Sequence, residues 1–539
     1  MYEDPIMIQV REAQEQDTRA IRDIFFATYG EDYTYPQFYD ERALKKMIFT
    51  DDTVMLVAED TETNAVLGTA SVILEIGAYS DLVGEFGRLA VHPDARHRGI
   101  GRMLVTERLE RVRGRLHVAL MEARVTHEFT QRISQKQGFA PVGFVPLKWP
   151  FGDRRESFAI MLQYFRKALA IRRNHPIVVP EVSRLAEMAM QNIGLDCDVI
   201  IDEDSAPYPH VRDFRLEELT TEGYWGLLRI RRGRMQHREV FGPLRLNYGF
   251  FRLQAKHSNY LLAYEGEHLA GALGFMIERY EDNVRVFELI PVEDRSIQFL
   301  LSELERRCRE EWGIKYIEID VKADAPRMQR TLLELGFVPT AYLPAFAFTE
   351  VERLDLVRMT RLLTPLELGG IELISPTREI SELVIRSFTE RHVVPRIAEV
   401  APRVGLFRGL SDEQTLRLAG AFDYGTFDPG ETIFREGDEC EEMYVVLSGD
   451  VCVRLDSRGM ELGSVGVGEC LGEVALLTDS PHSATASACA EVETAVIARH
   501  RMVDLVRRRP DIGVVLYRNV ASGLGDKLRR ADFFHIDNA

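Results

Sequence analysis

Residues 84–107, GEFGRLAVHPDARHRGIGRMLVTE, decide how the chain is read. Phe86, Leu89 and Val91 are the apolar positions of a strand, closed by a turn at Pro93-Asp94. Arg96-His97-Arg98-Gly99-Ile100-Gly101 follows, and apolar residues at Ile100, Leu104, Leu109 and Val112 then predict a helix. A strand, a glycine turn and a helix N-terminus together make an anion site. The first helical amides lack intrahelical acceptors, and the dipole there favours negative charge. Gly99 and Gly101 let a phosphate approach backbone that a Cβ would shield. Arg96, Arg98 and Arg102 add positive charge in the same turn. A plain surface turn would explain the glycines but not the arginines between them.

The whole register, Leu89-x-Val91-x-Pro93-x-x-Arg96-x-x-Gly99-x-Gly101-x-x-Leu104, resembles the coenzyme A signature of the GNAT N-acetyltransferases. The resemblance implies acetyl-CoA as donor. The backbone of Leu89 and Val91 would pair with pantetheine, and the amides from Arg96 to Gly101, with Arg98 and Arg102, would hold the pyrophosphate. Glu85 stands eleven residues before Arg96, where several protein-lysine acetyltransferases of the family carry a glutamate base. The chemistry asks for one, because an ammonium of pKa about 10.4 is neutral only about once in 10³ to 10⁴ at pH 7. Burial beside an apolar strand would raise the pKa of Glu85 and suit it to the task; the alternative is a glutamate at the strand's solvent end. The family often places a tyrosine acid four residues before its Gly-Phe pair. Here Ser134 precedes Gly138-Phe139, so the acid is unassigned.

Around this stretch, residues 7–20 predict a strand and turn, and Arg19 to Tyr29 a helix. Residues 53–60 and 66–76 predict a hairpin, Leu116 to Ala123 a strand, His127 to Gln137 a helix ended by Gly138, and Phe139 to Leu147 a last strand. A loop with Tyr29, Tyr33, Tyr35 and Tyr39, interrupted by Pro36, either walls a pocket or caps a core edge. The resemblance places this segment on the acceptor side, which makes Tyr33 and Tyr35 candidate substrate contacts. A GNAT domain over residues 1–165 results.

Asp213 to Leu228 echoes Gln9 to Ile24, Tyr260 to Ile277 repeats the hairpin with Gly271 in the place of Gly68, and ADAPRMQRTLLELGFVPTAYLP resembles the family's closing segment. A repeat of roughly 200 residues results. In this second copy Glu293-Asp294 and no glycine occupy the turn, and two carboxylates repel a pyrophosphate. Residues 211–360 are therefore expected to be a degenerate, non-catalytic GNAT-like domain that supports the first copy or completes its acceptor pocket, with Glu288 kept in its strand. Arg229 to Arg234 reads as a solvated helix face or as a contact for an acidic partner. Residues 166–210 connect the copies through a helix around Val182 to Ile193. Residues 361–402 form a second connector, in which Pro365, Pro376 and Pro395 predict short helices.

From Val404 short β runs alternate with glycine turns, the pattern of a jelly roll. Residues 403–539 resemble the cyclic-nucleotide-binding domain, and Gly472-Glu473-Val474-Ala475 its phosphate-binding cassette. The resemblance assigns Glu473 to the ribose 2′-hydroxyl. Members that bind cyclic AMP usually read Pro-Arg-Ser/Ala-Ala-Thr; here Pro481-His482-Ser483-Ala484-Thr485 puts histidine where an arginine would fork around the phosphate. The pocket binds a cyclic nucleotide more weakly and with pH dependence, or takes another ligand, or none.

At 539 residues the chain exceeds a single core. Its formal charge of −18 argues against nucleic acid as partner. Six cysteines show no CxxC spacing and no disulfide framework, no basic leader opens the chain, and no apolar run reaches membrane-span length. The expectation is a soluble cytoplasmic α+β multidomain protein: two GNAT mixed α/β domains, the second degenerate, plus a jelly-roll sensor. Its expected activity is acetyl-CoA-dependent N-acetylation of a protein lysine, regulated by a ligand such as cyclic AMP. A small-molecule amine acceptor, or a non-enzymatic sensor and scaffold, are the alternatives.

Overall fold

The computed structural model describes residues 8–74, 82–209, 211, 213–219, 238–241, 258–349, 351–364, 366, 368–419, 421–473, 480–519 and 521–522. They fall into two compact units divided between Ile385 and Arg386. The basic run Arg229 to Arg234, most of the predicted repeat at 213–228, and Val474 and Ala475 lie outside the described residues.

In the first unit β1 (Ile8–Glu12), α1 (Thr18–Tyr29), α2 (Glu41–Ile48), β2 (Thr53–Asp60), β3 (Val66–Ile73) and β4 (Val83–Val91) lead into α3 (Ile100–Val112). β5 (Val118–Arg124), α4 (Phe129–Lys136), β6 (Ala140–Phe151) and β7 (Arg154–Tyr164) complete the first half. A connector holds β8 (Ile177–Val178), α5 (Pro180–Asn192) and β9 (Ile200–Ile201). The second half runs β10 (Arg215–Leu219), β11 (Val240–Phe241), β12 (Ser258–Glu265), β13 (His268–Glu278), β14 (Asn283–Pro291), a helix Arg295–Glu310 and β15 (Tyr316–Lys322). A helix Pro326–Glu334, β16 (Val338–Thr349) and β17 (Glu352–Leu362) close it.

Apart from β8 and β9, which pair with each other, these strands form one sheet in the order β1-β2-β3-β4-β5-β7-β6-β16-β17-β15-β14-β13-β12-β10, with β11 beside β15. From the centre, where Gly143 of β6 pairs with Ala341 of β16, the order reads alike in both directions. Among the described strand pairs only β4–β5, β14–β15 and the short β8–β9 pair are parallel. The periodicities explain the elements. α1 buries Thr18, Ile21, Ile24 and Phe25 on one stripe and stops at Gly30, whose φ of 63° ends a helix readily. α3 buries Ile100, Leu104, Val105, Leu109 and Val112 against β2 and β3.

Two expectations are corrected here. The last strand of each half is followed by another, β7 or β17, that inserts between its neighbours, a non-local pairing no local pattern announces. The connector at 361–402 is not a set of short helices. A single helix, Ser375–Val400, runs through it. Pro376 sits in its first turn, where the missing N–H costs no bond, and the helix continues past Pro395.

The second unit has two four-stranded sheets. β18 (Asp423–Phe427), β20 (Glu442–Ser448), β23 (Cys470–Leu471) and β25 (Val492–Ala498) pair in the order β18-β25-β20-β23. β19 (Thr432–Phe434), β21 (Val451–Leu455), β22 (Met460–Val465) and β24 (Thr485–Ala488) pair as β19-β24-β21-β22. Phe407, Leu418, Phe422, Met443, Val445 and Ile497 form one core, into which Met502 of the helix Arg499–Arg508 packs. One cysteine pair departs from expectation: Cys452 and Cys489 are disulfide-bonded across 37 residues, with Cα atoms 5.5 Å apart. β21 pairs Cys452 with Ser487 of β24, which leaves Cys489 two residues along. Sequence spacing carries no trace of that proximity. No described helix is long and apolar enough to cross a membrane.

Candidate functional site

Strands β4 and β5 are paired only from Val83–Val118 to Phe86–Met121 and then part, while β4 stays on β3 as far as Val91. Leu89 and Val91 therefore present backbone on the side where β5 has left. At the mouth of this split Gly99 caps α3 with φ 78°, and the first backbone bond of the helix is Met103 N–H to Gly99 C=O, 3.1 Å. The amides ahead of it have no helical acceptor. Arg96, Arg98 and Arg102 are exposed and make no ion pair with a described residue, and a Cβ at Gly99 would meet nothing within 4 Å. The expected donor residues thus come together as an open cationic cradle, and they fit a diphosphate.

Beside the split lies a cleft with roughly 780 Å³ of empty space, part of it open to solvent, lined by Tyr33, Tyr35, Glu85, Arg88, Arg108 and Trp149 among others. Glu85 is inside it, not at a solvent end. It does not sit against apolar strand alone, because Arg88 Nη2 donates to Glu85 Oε1 at 2.8 Å. Arg88 occupies the bulge where the β3–β4 register shifts, with φ 55°. Burial opposes its charge, but Glu85, with Tyr33 and Tyr35, outweighs that and raises its pKa. Tyr35 donates its hydroxyl to Glu281 of the second half. Burial lifts both tyrosines above their ordinary pKa, Glu281 adding to the rise at Tyr35. Ser134 is fully buried and donates to Met121 Sδ at 3.0 Å.

Sequence reasoning missed Arg88, Arg108 and Glu281. Arg108 had a signal: it falls four residues after Leu104 on the buried stripe of α3, where a charge is out of place. Its Nη1 donates to Ser71 O at 3.1 Å and Gly87 O at 3.0 Å. Burial, then the neighbouring Arg88, press its pKa down to about 9.

The second half repeats the pairing but not the cradle. Gly271 packs on the helix start as Gly68 does, a Cβ meeting Ser296 Oγ at 2.3 Å in one case and Ile100 Cγ2 at 3.0 Å in the other. Ser296 turns its hydroxyl back onto Ala270 O and Glu293 O, and Arg295 is held by Glu265 and Glu293. β11 pairs with β15 at Val321 and Asp320, where in the first half no described strand pairs with β5 on its β4 side past Met121. The two parallel registers place Arg285, not Glu288, opposite the position of Glu85. Glu288 instead accepts from the Tyr260 hydroxyl at 2.9 Å.

In the second unit Gly472 has φ 76°, and a Cβ there would lie 3.4 Å from His482 Cε1, so the two are neighbours. The His482 ring is stacked on Phe434, centroids 3.7 Å apart, and 7% exposed. Burial lowers its pKa. Ser483 is exposed beside it and Glu473 is half-buried. The place where the resemblance expects an arginine is thus filled by a packed ring whose burial disfavours its charged form.

The sequence matches the family model of the Acetyltransferase (GNAT) domain over residues 51–141 and that of the Cyclic nucleotide-binding domain over residues 425–509. Among curated relatives, the Cyclic AMP receptor protein of Thermus thermophilus is 32% identical over 130 residues, 24% of this chain and 58% of that protein. The CRP-like cAMP-activated global transcriptional regulator of Mycobacterium tuberculosis is 26% identical over 129 residues, 23% and 58% of the two chains. Lysophospholipase nte1 of Aspergillus fumigatus is 27% identical over 175 residues, 30% of this chain and 12% of that one. The match spans at most 58% of these relatives' length. A solved N-terminal domain of a transcriptional regulator from Streptomyces coelicolor is 34% identical, over 24% of this chain and 94% of that chain, with TM-score 0.22. The chain therefore contains, in one polypeptide, a GNAT acetyltransferase domain at residues 51–141 and a cyclic nucleotide-binding domain at residues 425–509.

Proposed function

We propose that the protein is an acetyl-CoA-dependent N-acetyltransferase whose second half is a GNAT copy without a donor site and whose C-terminal domain senses a cyclic nucleotide. The observation that carries the reading is the opening of β4 from β5 onto the bare amides and arginines at Gly99, with Glu85 inside the adjoining cleft. The mirrored strand order supports the tandem, and the hydroxyl bond from Tyr35 to Glu281 supports a second half that completes the acceptor wall.

Acetyl-CoA, when bound, supplies the thioester. Leu89 and Val91 backbone orients the donor arm, and the Arg96–Arg102 turn holds its diphosphate. Glu85 takes a proton from the acceptor ammonium, directly or through water, which offsets the roughly 4–5 kcal/mol cost of a neutral amine at pH 7. Ser134, buried on Met121, supplies none to the leaving thiolate. A protein lysine is one acceptor class. A small-molecule amine is the second reading, favoured by the second half's contact with the cleft-lining Tyr35: Arg155, like Tyr35, reaches Glu281, donating to its carbonyl at 2.9 Å.

Coenzyme A release tests the assignment. Glu85→Gln is expected to lower kcat at least tenfold while acetyl-CoA affinity holds; an unchanged rate and pH profile would remove Glu85 as base.

A further inference from the structure

The cleft holds more positive charge than its carboxylates neutralise. Arg124 is matched by Glu156 through bonds of 2.7 and 2.8 Å, and Glu122 is taken by Lys148 at 2.5 Å. Glu85 is engaged by Arg88 at 2.8 Å. Arg108 then has no carboxylate within ion-pairing distance among the described residues. Its side chain is wholly buried under the Phe86 ring, 5.2 Å from the centroid, and its Nε and Nη2 have no protein partner. Arg88 Nη1 and Trp149 Nε1, on the same cleft, are buried without a partner as well. Four N–H-bearing atoms without a hydrogen-bond partner therefore belong to three side chains of the cleft wall. A buried guanidinium left unpaired is costly, and a planar oxyanion is what its fork accepts. Arg88 is also held at φ 55°, a conformation that persists only where the surroundings impose it.

We propose that this wall binds a carboxylate carried by the acceptor, so that the substrate is an amine bearing an acid group, its ammonium toward Glu85 and its carboxylate on Arg88, Arg108 and Trp149. The inference rests on the N-acetyltransferase reading and narrows its acceptor class to small amino acids or amino-acid-like molecules.

The test uses matched pairs on the full-length protein with acetyl-CoA: glycine, β-alanine, γ-aminobutyrate, glutamate and lysine, each against its amide. At least one acid is expected to show a kcat/KM tenfold or more above that of its amide, about 1.4 kcal/mol. Arg108→Lys should erase that ratio, through a rise in KM for the acid. Equal rates for acid and amide across all pairs would overturn the proposal. So would a preference that appears only when succinyl-CoA replaces acetyl-CoA with neutral amines, which would move the carboxylate to the donor. Arg108 is wholly buried, so calorimetry on the unaltered protein supplies a readout independent of folding and of turnover. N-acetylated acids should bind tenfold more tightly than their N-acetylated amides. If no amine is acetylated, the enzymatic reading fails while this binding ratio still decides the carboxylate site: a ratio of one overturns it.

Discussion

Gly99 concentrates the chemistry of the donor cradle in one dihedral. Its φ of 78° costs a side-chain-bearing residue about 1–2 kcal/mol, yet the space around its missing Cβ is open. Gly99→Ala should therefore fold, with a modest drop in thermal midpoint. The new methyl would stand where the diphosphate must approach, so acetyl-CoA affinity should fall at least tenfold by calorimetry. Undiminished affinity would mean the donor lies elsewhere. His482 is the corresponding residue of the sensor. Burial keeps its folded-state pKa below the unfolded value near 6.5. Above pH 6.5 both states leave the ring neutral and the burial is uncontested. As pH falls through that value the unfolded chain takes a proton that the folded chain refuses, so stability drops. Urea unfolding at pH 7.5 and 5.5 should show a larger loss for the native protein than for His482→Gln; parallel losses would show that the ring titrates freely. A bound phosphate reverses the preference, so cyclic AMP affinity, where present, should rise on acidification and lose that slope in His482→Arg.

Among the elements, the β6–β16 junction ties the two halves into one sheet. A Cβ on Gly143 would come 2.2 Å from Ala341 Cβ and 2.7 Å from both Ala341 Cα and Thr340 O, backbone that cannot step aside. Gly143→Val should cost about 2–3 kcal/mol in urea; an unchanged midpoint would mean the junction tolerates separation. Elements with a local signature were legible beforehand. The glycine turn, α3 and the hairpins followed from spacing, and Leu89, Val91, Arg96, Gly99 and Gly101 fall on the end of β4 and the start of α3, where their register puts them. What escaped depends on distant partners. β7 and β17 each slot between the strand just before them and one further back in sequence, β11 pairs with β15 80 residues away, and Cys452 meets Cys489 only through β21–β24 pairing. Arg108 was legible in principle, as a charge on an apolar stripe, but its meaning required Arg88 across the bulge. Proline misled at 376 and 395 because a proline in a first turn and one inside a long helix look alike in sequence.

At the scale of the whole molecule, an acetyltransferase domain and a nucleotide-binding fold share one chain, and the physical content of regulation is a coupling free energy between their ligands. Such couplings run at about 1–3 kcal/mol, or 5–150-fold in affinity. Binding linkage makes the factor reciprocal: whatever cyclic AMP does to acetyl-CoA affinity, acetyl-CoA must do to cyclic AMP affinity. Packing of His482 on Phe434 withholds the fixed cation that a cyclic phosphate would meet, so cyclic AMP is expected to bind weakly and the sensor to work at high ligand concentration. Four titrations of the full-length protein decide the matter, each ligand alone and in the presence of saturating partner. Equal factors of five or more in the two directions are expected. A factor of one both ways, with both ligands binding, would mean that the sensor does not set donor affinity and that any control it exerts falls on turnover. In that case kcat with the preferred acceptor should still move with cyclic AMP, because reciprocity constrains binding and leaves rate constants free.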